Sequence, residues 1–324
     1  MNPPADTAPP APRLTTRPWI TCVVPAFNEA EGIAEFLREL CQHLSGLTDR
    51  FDAIVVDDGS VDPTSREVMA LPGPIRLLTL SRNFGKEAAI SAGLAVADGE
   101  VVVIIDADFQ HPFPVIDEFI SHWQQGYDMV YAVPAEQTAG TPLRRKLRRL
   151  FYQILSHGAS VRIPQNAGDF RLLDRKVVHA LRRLPESNRF MKGLYAWVGF
   201  RSIGIAFTVK ERRASASKFG FLKLFDLSIT GLTSFSNLPL RLWVAVGSII
   251  SLLSILYAID IIVETLIFGN PLAGWATLVV AITFLGGVQL LSIGILGEYL
   301  ARIFNEVKRR PNYLISSRHG FPKK

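Results

Sequence analysis

Val101-Val102-Val103-Ile104-Ile105-Asp106-Ala107-Asp108-Phe109-Gln110 is the stretch on which the fold turns. A continuous apolar run this short, rich in β-branched side chains, predicts a strand buried on both faces rather than a helix. Strands of that kind sit inside sheets covered by helices. The run stops abruptly at two carboxylates. Strand alternation would put Asp106 and Asp108 on one face, with the amide oxygen of Gln110 following. Hard oxygen donors so grouped suit Mg²⁺ or Mn²⁺, ions that keep waters and share substrate phosphates. An isolated Asp-x-Asp is more often a solvated turn, so the neighbouring segments decide.

Upstream, Trp19 to Val24 reads as a strand closed by Pro25, and Ile33, Phe36, Leu37, Leu40 and Leu44 then recur at helical spacing. The loop between them, Pro25-Ala26-Phe27-Asn28-Glu29, lies at a strand's carboxyl end, where open α/β sheets bind ligands. Phe51 to Val56 is a second strand, followed by Asp57-Asp58-Gly59-Ser60 and a helix opened by Asp62-Pro63-Thr64. A turn with an N-cap accounts for Ser60 and Asp62 but does not need two adjacent carboxylates. Ile75 to Leu80 is a third strand, and Ser81 to Lys86 leads into a helix of small residues, Glu87 to Ala97, suited to close packing on a sheet. After the central strand, His111-Pro112-Phe113-Pro114 breaks the chain before a helix through Trp123, and Met129 to Val133 supplies another strand. This alternation predicts an α/β, mostly parallel, doubly wound sheet.

Residues 141–157 read as a basic amphipathic helix, with Arg144 and Arg148 on its charged side. It is either a solvated face or a surface presented to lipid phosphates. Asn166 to Arg175 reads as a polar turn leading into a helix, and Val209 to Arg213 as the end of a strand followed by a loop carrying Ser215, Ser217 and Lys218.

The 324 residues are 48% hydrophobic with a net charge of +6, which predicts that part of the chain lies in lipid beside an anionic surface or substrate. No zinc-finger spacing or RNA-binding signature is present, so nucleic acid is not expected as a partner. Cys22 and Cys41 have no metal-binding spacing and read as buried thiols in a reducing compartment. The expected organisation is a disordered leader over 1–17, a cytoplasmic catalytic domain over 18–218, an interfacial helix over 219–240, two membrane helices over 241–298, and a basic tail over 299–324. The two apolar segments, Leu242 to Ile262 and Trp275 to Leu296, are each long enough to span a bilayer, and Arg241, Arg302, Lys308, Arg309 and Arg310 place their outer ends in the cytoplasm.

Together, Val23 to Glu29, Val55-Val56-Asp57-Asp58-Gly59-Ser60, Asn83-Phe84-Gly85-Lys86 and Asp106-Ala107-Asp108-Phe109-Gln110-His111-Pro112 resemble the family 2 glycosyltransferases of the GT-A fold. Gly168-Asp169-Phe170-Arg171-Leu172-Leu173-Asp174-Arg175, Arg212 to Lys218 and the terminal spans narrow the resemblance to the polyprenyl-phosphate glycosyltransferases. That group includes bactoprenol glucosyltransferases and dolichyl-phosphate mannose synthases. The resemblance implies that Pro25, Ala26, Phe27, Glu29, Val56, Asp58, Lys86, Asp106 and Ala107 bind a nucleotide sugar, and that Asp106, Asp108 and Gln110 hold Mg²⁺ or Mn²⁺. It further implies that Asp169, Asp108, Arg212 and Lys218 serve catalysis and that Arg144, Arg148 and Arg171 steer the acceptor phosphate. Ser215 and Ala216 stand where members commonly carry Gly-Glu, and the Gln-x-x-Arg-Trp of processive polysaccharide synthases is absent, which favours a single transfer. The implied reaction is inverting transfer of one sugar from a UDP-hexose to undecaprenyl phosphate in the bacterial cytoplasmic membrane. Another lipid acceptor, a catalytically silent carrier-binding protein and a homo-oligomer remain open as alternatives.

Overall fold

The computed structural model describes residues 12–135, 168–184, 186, 189–208, scattered helical positions between 247 and 267, and 274–322. Its centre is an eight-stranded sheet in the order β7-β5-β6-β4-β1-β2-β3-β8. The strands are β1 (Ile20–Ala26), β2 (Phe51–Asp57), β3 (Ile75–Leu80), β4 (Val101–Ile104), β5 (Met129–Pro134), β6 (Arg171–Asp174), β7 (Ser202–Phe207) and β8 (Ile315–His319). β4, β1, β2 and β3 run parallel, as do β5 and β7, whereas β6 is antiparallel between β4 and β5. Helices cover both faces. α1 (Ile33–Leu47), α2 (Thr64–Met69) and α4 (Val115–Gln124) pack on one; α3 (Lys86–Val96), α5 (Arg175–Arg182) and α6 (Met191–Trp197) pack on the other. Because both faces are covered, β1, β2 and β4 are largely apolar, and alternate residues feed two separate cores: Cys22 and Val24 one, Val23 the other. The small residues of α3 bring it close to the sheet, since a Cβ at Gly93 would overlap a methyl of Val23.

Three expectations need correction. The segment read as a polar turn, 166–175, contains β6, whose Arg171, Leu172 and Leu173 are buried in the sheet. The apolar period of a four-residue strand is too short to stand out between charged neighbours. The stretch over 1–17 is bound to the domain from Arg13 onward: its backbone N–H donates to Gln124 and its guanidinium pairs with Asp128 at 2.7 Å and Asp174 at 3.1 Å. The basic tail contributes β8, antiparallel to β3 at the sheet edge, while Tyr313, Ile315 and Phe321 join the second core.

α7 (Trp275–Val307) has 33 residues, about 50 Å at 1.5 Å per residue, and Phe284–Val307 is long and apolar enough to cross a membrane. Leu290, Ile293, Leu300 and Val307 are all exposed along it. Among the described residues nothing packs on this apolar face, which is the kind of surface that lipid or further protein covers. Most of the first apolar segment, and all of 136–167 and 209–246, lie outside the described residues, so neither the helical hairpin nor the interfacial and basic amphipathic helices are drawn here.

Candidate active site

The carboxyl ends of β1, β2 and β4 meet where the sheet's order reverses, and their loops are tied to one another by side-chain to backbone bonds. The backbone N–H groups of Asn28, Glu29 and Ala30 donate to Ser60 Oγ (2.9 Å), Thr64 Oγ1 (2.9 Å) and Asp62 Oδ2 (3.1 Å). Asn28 Oδ1 in turn accepts from the Val61 N–H at 3.0 Å. The polar residues after β2 therefore cap the neighbouring loop. This interlock leaves Phe27 exposed at the rim and Pro25 half-buried behind it, whereas Ala26, Val56 and Ala107 are buried and could meet a ligand only through their backbones.

Asp57 and Asp58 divide the work that follows β2. Asp57 Oδ1 accepts from the Ser60 N–H at 2.9 Å, closing its own turn. Asp58 reaches across to the loop before α3, its two oxygens accepting from the Phe84 and Gly85 N–H groups, each at 2.8 Å. Burial pushes the Asp58 carboxyl up, against the pull of those two donors. Gly59 has φ +70°, and a Cβ there would overlap the Arg82 backbone, so only glycine lets the two loops approach.

Asp106 and Asp108 are placed differently from what strand alternation predicts. β4 ends at Ile104, and both carboxylates lie beyond it in a turn that contains Phe109 at φ +60°. The Phe109 ring holds that turn by packing edge-on to Phe36 at 5.3 Å. Asp108 Oδ1 accepts from the Gln110 N–H at 3.1 Å, so this part of the motif stabilises its own bend.

Lys86, the first residue of α3, brings the site together. Its Nζ lies 2.7 Å from Asp106 Oδ1 and 3.0 Å from Asp169 Oδ2, and His111 Nε2 approaches Asp106 at 3.5 Å. Against burial, His111 and Lys86 hold the Asp106 carboxyl far below the usual carboxylate range. Against burial again, Lys86 and Lys192 hold Asp169 low. The two carboxylates, in return, hold the Lys86 ammonium charged. Asp169 Oδ1 is buried with no hydrogen-bond partner among the described residues, an unsatisfied acceptor on an ionised carboxylate.

Arg171, expected to steer the acceptor phosphate, is 2% exposed; its guanidinium carbon sits 3.6 Å from the Tyr195 ring centre, and it donates to the Gly168 carbonyl. From inside the fold it supports the loop carrying Asp169. Arg144, Arg148, Arg212 and Lys218 lie outside the described residues. Two participants escaped the residue-by-residue reading. His111 stacks on Phe170 at 4.6 Å beside Asp106; it sat in the quoted motif, but a lone histidine before Pro-x-Pro carries no geometric signal. Burial, then the Asp169 charge, raises Glu87 to about 7, and its Oε2 accepts from the Met191 N–H at 2.9 Å.

Residues 21–182 match the model of glycosyl transferase family 2, and the match contains Asp58, Lys86, Glu87, Asp106, Asp108, His111, Asp169 and Arg171. The chain belongs to glycosyl transferase family 2. The transferase is 43% identical over 304 residues, 93% of its length and 96% of the other, to an uncharacterized glycosyltransferase of Synechocystis sp.. It is 42% identical, over 93% of its length and 98% of the other, to the SfII prophage-derived bactoprenol glucosyl transferase of Shigella flexneri. A prophage bactoprenol glucosyl transferase homolog of Escherichia coli K12 is 39% identical over 91% of this chain and 98% of its own. A glucosyl-3-phosphoglycerate synthase from Mycobacterium tuberculosis, solved with Mn²⁺ and UDP-glucose, aligns at TM-score 0.44 and 20% identity, covering 67% of this chain and 78% of that one. A likeness that slight carries no weight for substrate or metal. Among the described residues of the transferase, no three His, Cys, Asp or Glu side chains converge as a metal cage. The donor chemistry of Asp106, Asp108 and Gln110 still fits a hard cation of the kind that takes one or two carboxylates and completes its shell with water and substrate phosphate.

Proposed function

We propose that the transferase moves one sugar from a nucleotide sugar, a UDP-hexose, to the phosphate of undecaprenyl phosphate at the cytoplasmic face of a bacterial membrane, inverting the anomeric carbon. The observation that carries this reading is 42% identity across 93% of the chain to proteins named bactoprenol glucosyl transferase. The apolar helix α7 supports it. β8 follows that helix and pairs in the sheet, which keeps the end of α7 on the domain's side, beside the exposed Lys308, Arg309 and Arg310. A domain tethered there meets a lipid carrier whose phosphate lies at the bilayer surface.

In the proposed reaction, an oxygen of the acceptor phosphate attacks the anomeric carbon as the bond to the donor's diphosphate breaks and its electron pair leaves with the nucleotide. A phosphate monoester is already ionised near neutral pH, so no proton must be removed. Asp106, Asp108 and Gln110 would hold the divalent ion, which when bound neutralises charge on the leaving nucleotide. Lys86 fixes Asp106 and adds positive charge beside the diphosphate; Asp169 offers its free oxygen to orient the acceptor or the sugar hydroxyls.

The deciding experiment incubates the detergent-purified chain with undecaprenyl phosphate, Mg²⁺ or Mn²⁺, and a panel of labelled nucleotide sugars. Label should pass into the organic phase with one donor and stay in water when the divalent ion is chelated; no transfer from any donor would sink the reading. A diacylglycerol acceptor is the rival that the unpaired Asp169 oxygen would favour. Its hydroxyl needs a base, so Asp169→Asn should then cost about 10²-fold or more, against a smaller loss with a phosphate acceptor.

A further inference from the structure

A cavity of about 490 Å³ opens along the second half of α3, between that helix, α5 and the segment running from α7 to β8. Ser91, Arg182, Arg189, Asn312 and Tyr313 contribute its polar groups, and Leu94 and Leu181 its apolar wall. At 1.5 Å per residue, Ser91 to Ala95 lie about 8 to 14 Å along α3 from Lys86, so the cavity is not the sugar-transfer site.

We propose that this cavity is a second anion site that takes the phosphate headgroup of an anionic phospholipid. The donors are numerous, and among the described residues no carboxylate lines the cavity. Arg189 is incompletely satisfied among the described residues: Nη2 donates to the Leu184 carbonyl at 2.7 Å, Nη1 reaches Ser91 Oγ only at 3.4 Å, and Nε is buried with no partner among them. A guanidinium with one buried, spare N–H is costly unless an acceptor fills the space. Arg182 is anchored by the Leu94 and Ala97 carbonyls at the end of α3, and its charge remains. Two acids lie nearby: Asp98 acts on Arg182 and is also held by Arg76 at 3.6 Å, and Glu186 gives Asn312 its backbone carbonyl while its own Oε2 is buried with no hydrogen-bond partner among the described residues.

Position selects the ligand. Asn312 and Tyr313 follow Val307, the last residue of α7, by only five and six residues, with exposed Lys308, Arg309 and Arg310 between. A phosphate arriving there comes from the headgroup layer, and basic residues just outside a span attract anionic lipid. Bound lipid would join the end of the membrane helix to α3, the helix that carries Lys86. This inference rests on α7 lying in a bilayer and not on the sugar chemistry.

The test uses the full chain in neutral maltoside detergent, without nucleotide sugar or undecaprenyl phosphate, so that failed turnover and failed lipid binding are read apart. Dioctanoyl phosphatidylglycerol should raise the unfolding midpoint saturably, by binding the folded state alone. Dioctanoyl phosphatidylcholine and inorganic phosphate at the same concentration should not. Arg189→Gln should weaken the apparent affinity for the glycerol lipid about tenfold, the loss expected for a charge-assisted hydrogen bond. Tyr313→Phe should weaken it less, and Arg66→Gln, the same charge change on exposed α2, should leave it as it is. Equal stabilisation by phosphatidylcholine, equal stabilisation by inorganic phosphate, or equal loss in Arg189→Gln and Arg66→Gln would each overturn the proposal; should Arg189→Gln fail to fold, an unaltered affinity in Tyr313→Phe would do so.

Discussion

Lys86 and Asp106 meet at 2.7 Å although they come from different loops, one opening α3 and the other following β4. Asp169, from a third segment, completes the contact at 3.0 Å. One ammonium thus sets the spacing of two carboxylates that would otherwise repel. Replacing it with an uncharged chain of similar length, Lys86→Met, should lower kcat/KM about 10²-fold or more, as loss of a preorganised charge does elsewhere. Since the Lys86 side chain is 41% exposed, the cost to unfolding stability should stay within about 1 kcal/mol. Transfer assays and thermal unfolding on the same preparation test both halves; a variant that unfolds early but turns over normally would assign Lys86 to the scaffold alone.

Glu87 makes stability depend on pH. Its carboxyl titrates at about 7 in the fold, against 4.5 ordinarily, chiefly because it is buried and secondly because Asp169 is near. Between those values the folded chain holds a proton that the unfolded chain has released. The stabilisation is complete below 4.5 and fades as the pH rises through 7. Glu87→Gln keeps an acceptor for the Met191 N–H and removes the ionisation. At pH 8 it should therefore be more stable than the parent by on the order of 3 kcal/mol, with no difference at pH 4. Parallel urea midpoints at the two pH values measure it.

Gly59 joins the β2 turn to the loop before α3. Alanine there must hold φ near +70° and push against the Arg82 backbone, which is not a side chain that can swing away. Gly59→Ala should cost about 2 kcal/mol or more. It should also reduce transfer, because the displaced loop carries the Phe84 and Gly85 donors to Asp58 and, next in sequence, Lys86. Wild-type turnover in a destabilised Gly59→Ala would separate the loop from the site.

The C-terminal segment should behave as part of the catalytic domain. Deleting residues 312–324 removes β8 from the edge of β3, the Leu314 carbonyl from the Ser81 N–H at 2.9 Å, and Tyr313, Ile315 and Phe321 from the second core. Three lost apolar side chains imply about 3 to 6 kcal/mol, and the bare edge invites association. Size-exclusion chromatography and thermal unfolding should show an aggregating, less stable protein; an intact monodisperse one would mean the edge tolerates exposure.

Much of the catalytic half was legible along the chain, because its signals are local. The apolar runs of β1, β2 and β4 announce strands buried on both faces, the period of Ile33, Phe36, Leu37, Leu40 and Leu44 announces α1, and all five of these α1 residues are buried. The small residues of α3 foretold its close approach to the sheet. β6 and β8 were not legible, since a short strand among charged residues is defined by the strands beside it. The pairing partner is remote in sequence: β6 fits between β4 and β5, and β8 returns to β3.

The same division runs through the site. The order of the residues alone determined which ones were candidates for the chemistry, because acids, glycines and apolar runs at these spacings admit few folds and few ligands. Only the tertiary structure decided their states. Arg171 became a buried prop beneath Asp169, Asp58 a clamp on a distant loop, and Lys86 the ion that keeps Asp106 and Asp169 charged, because burial and Coulomb forces depend on distances in space that sequence separation does not encode.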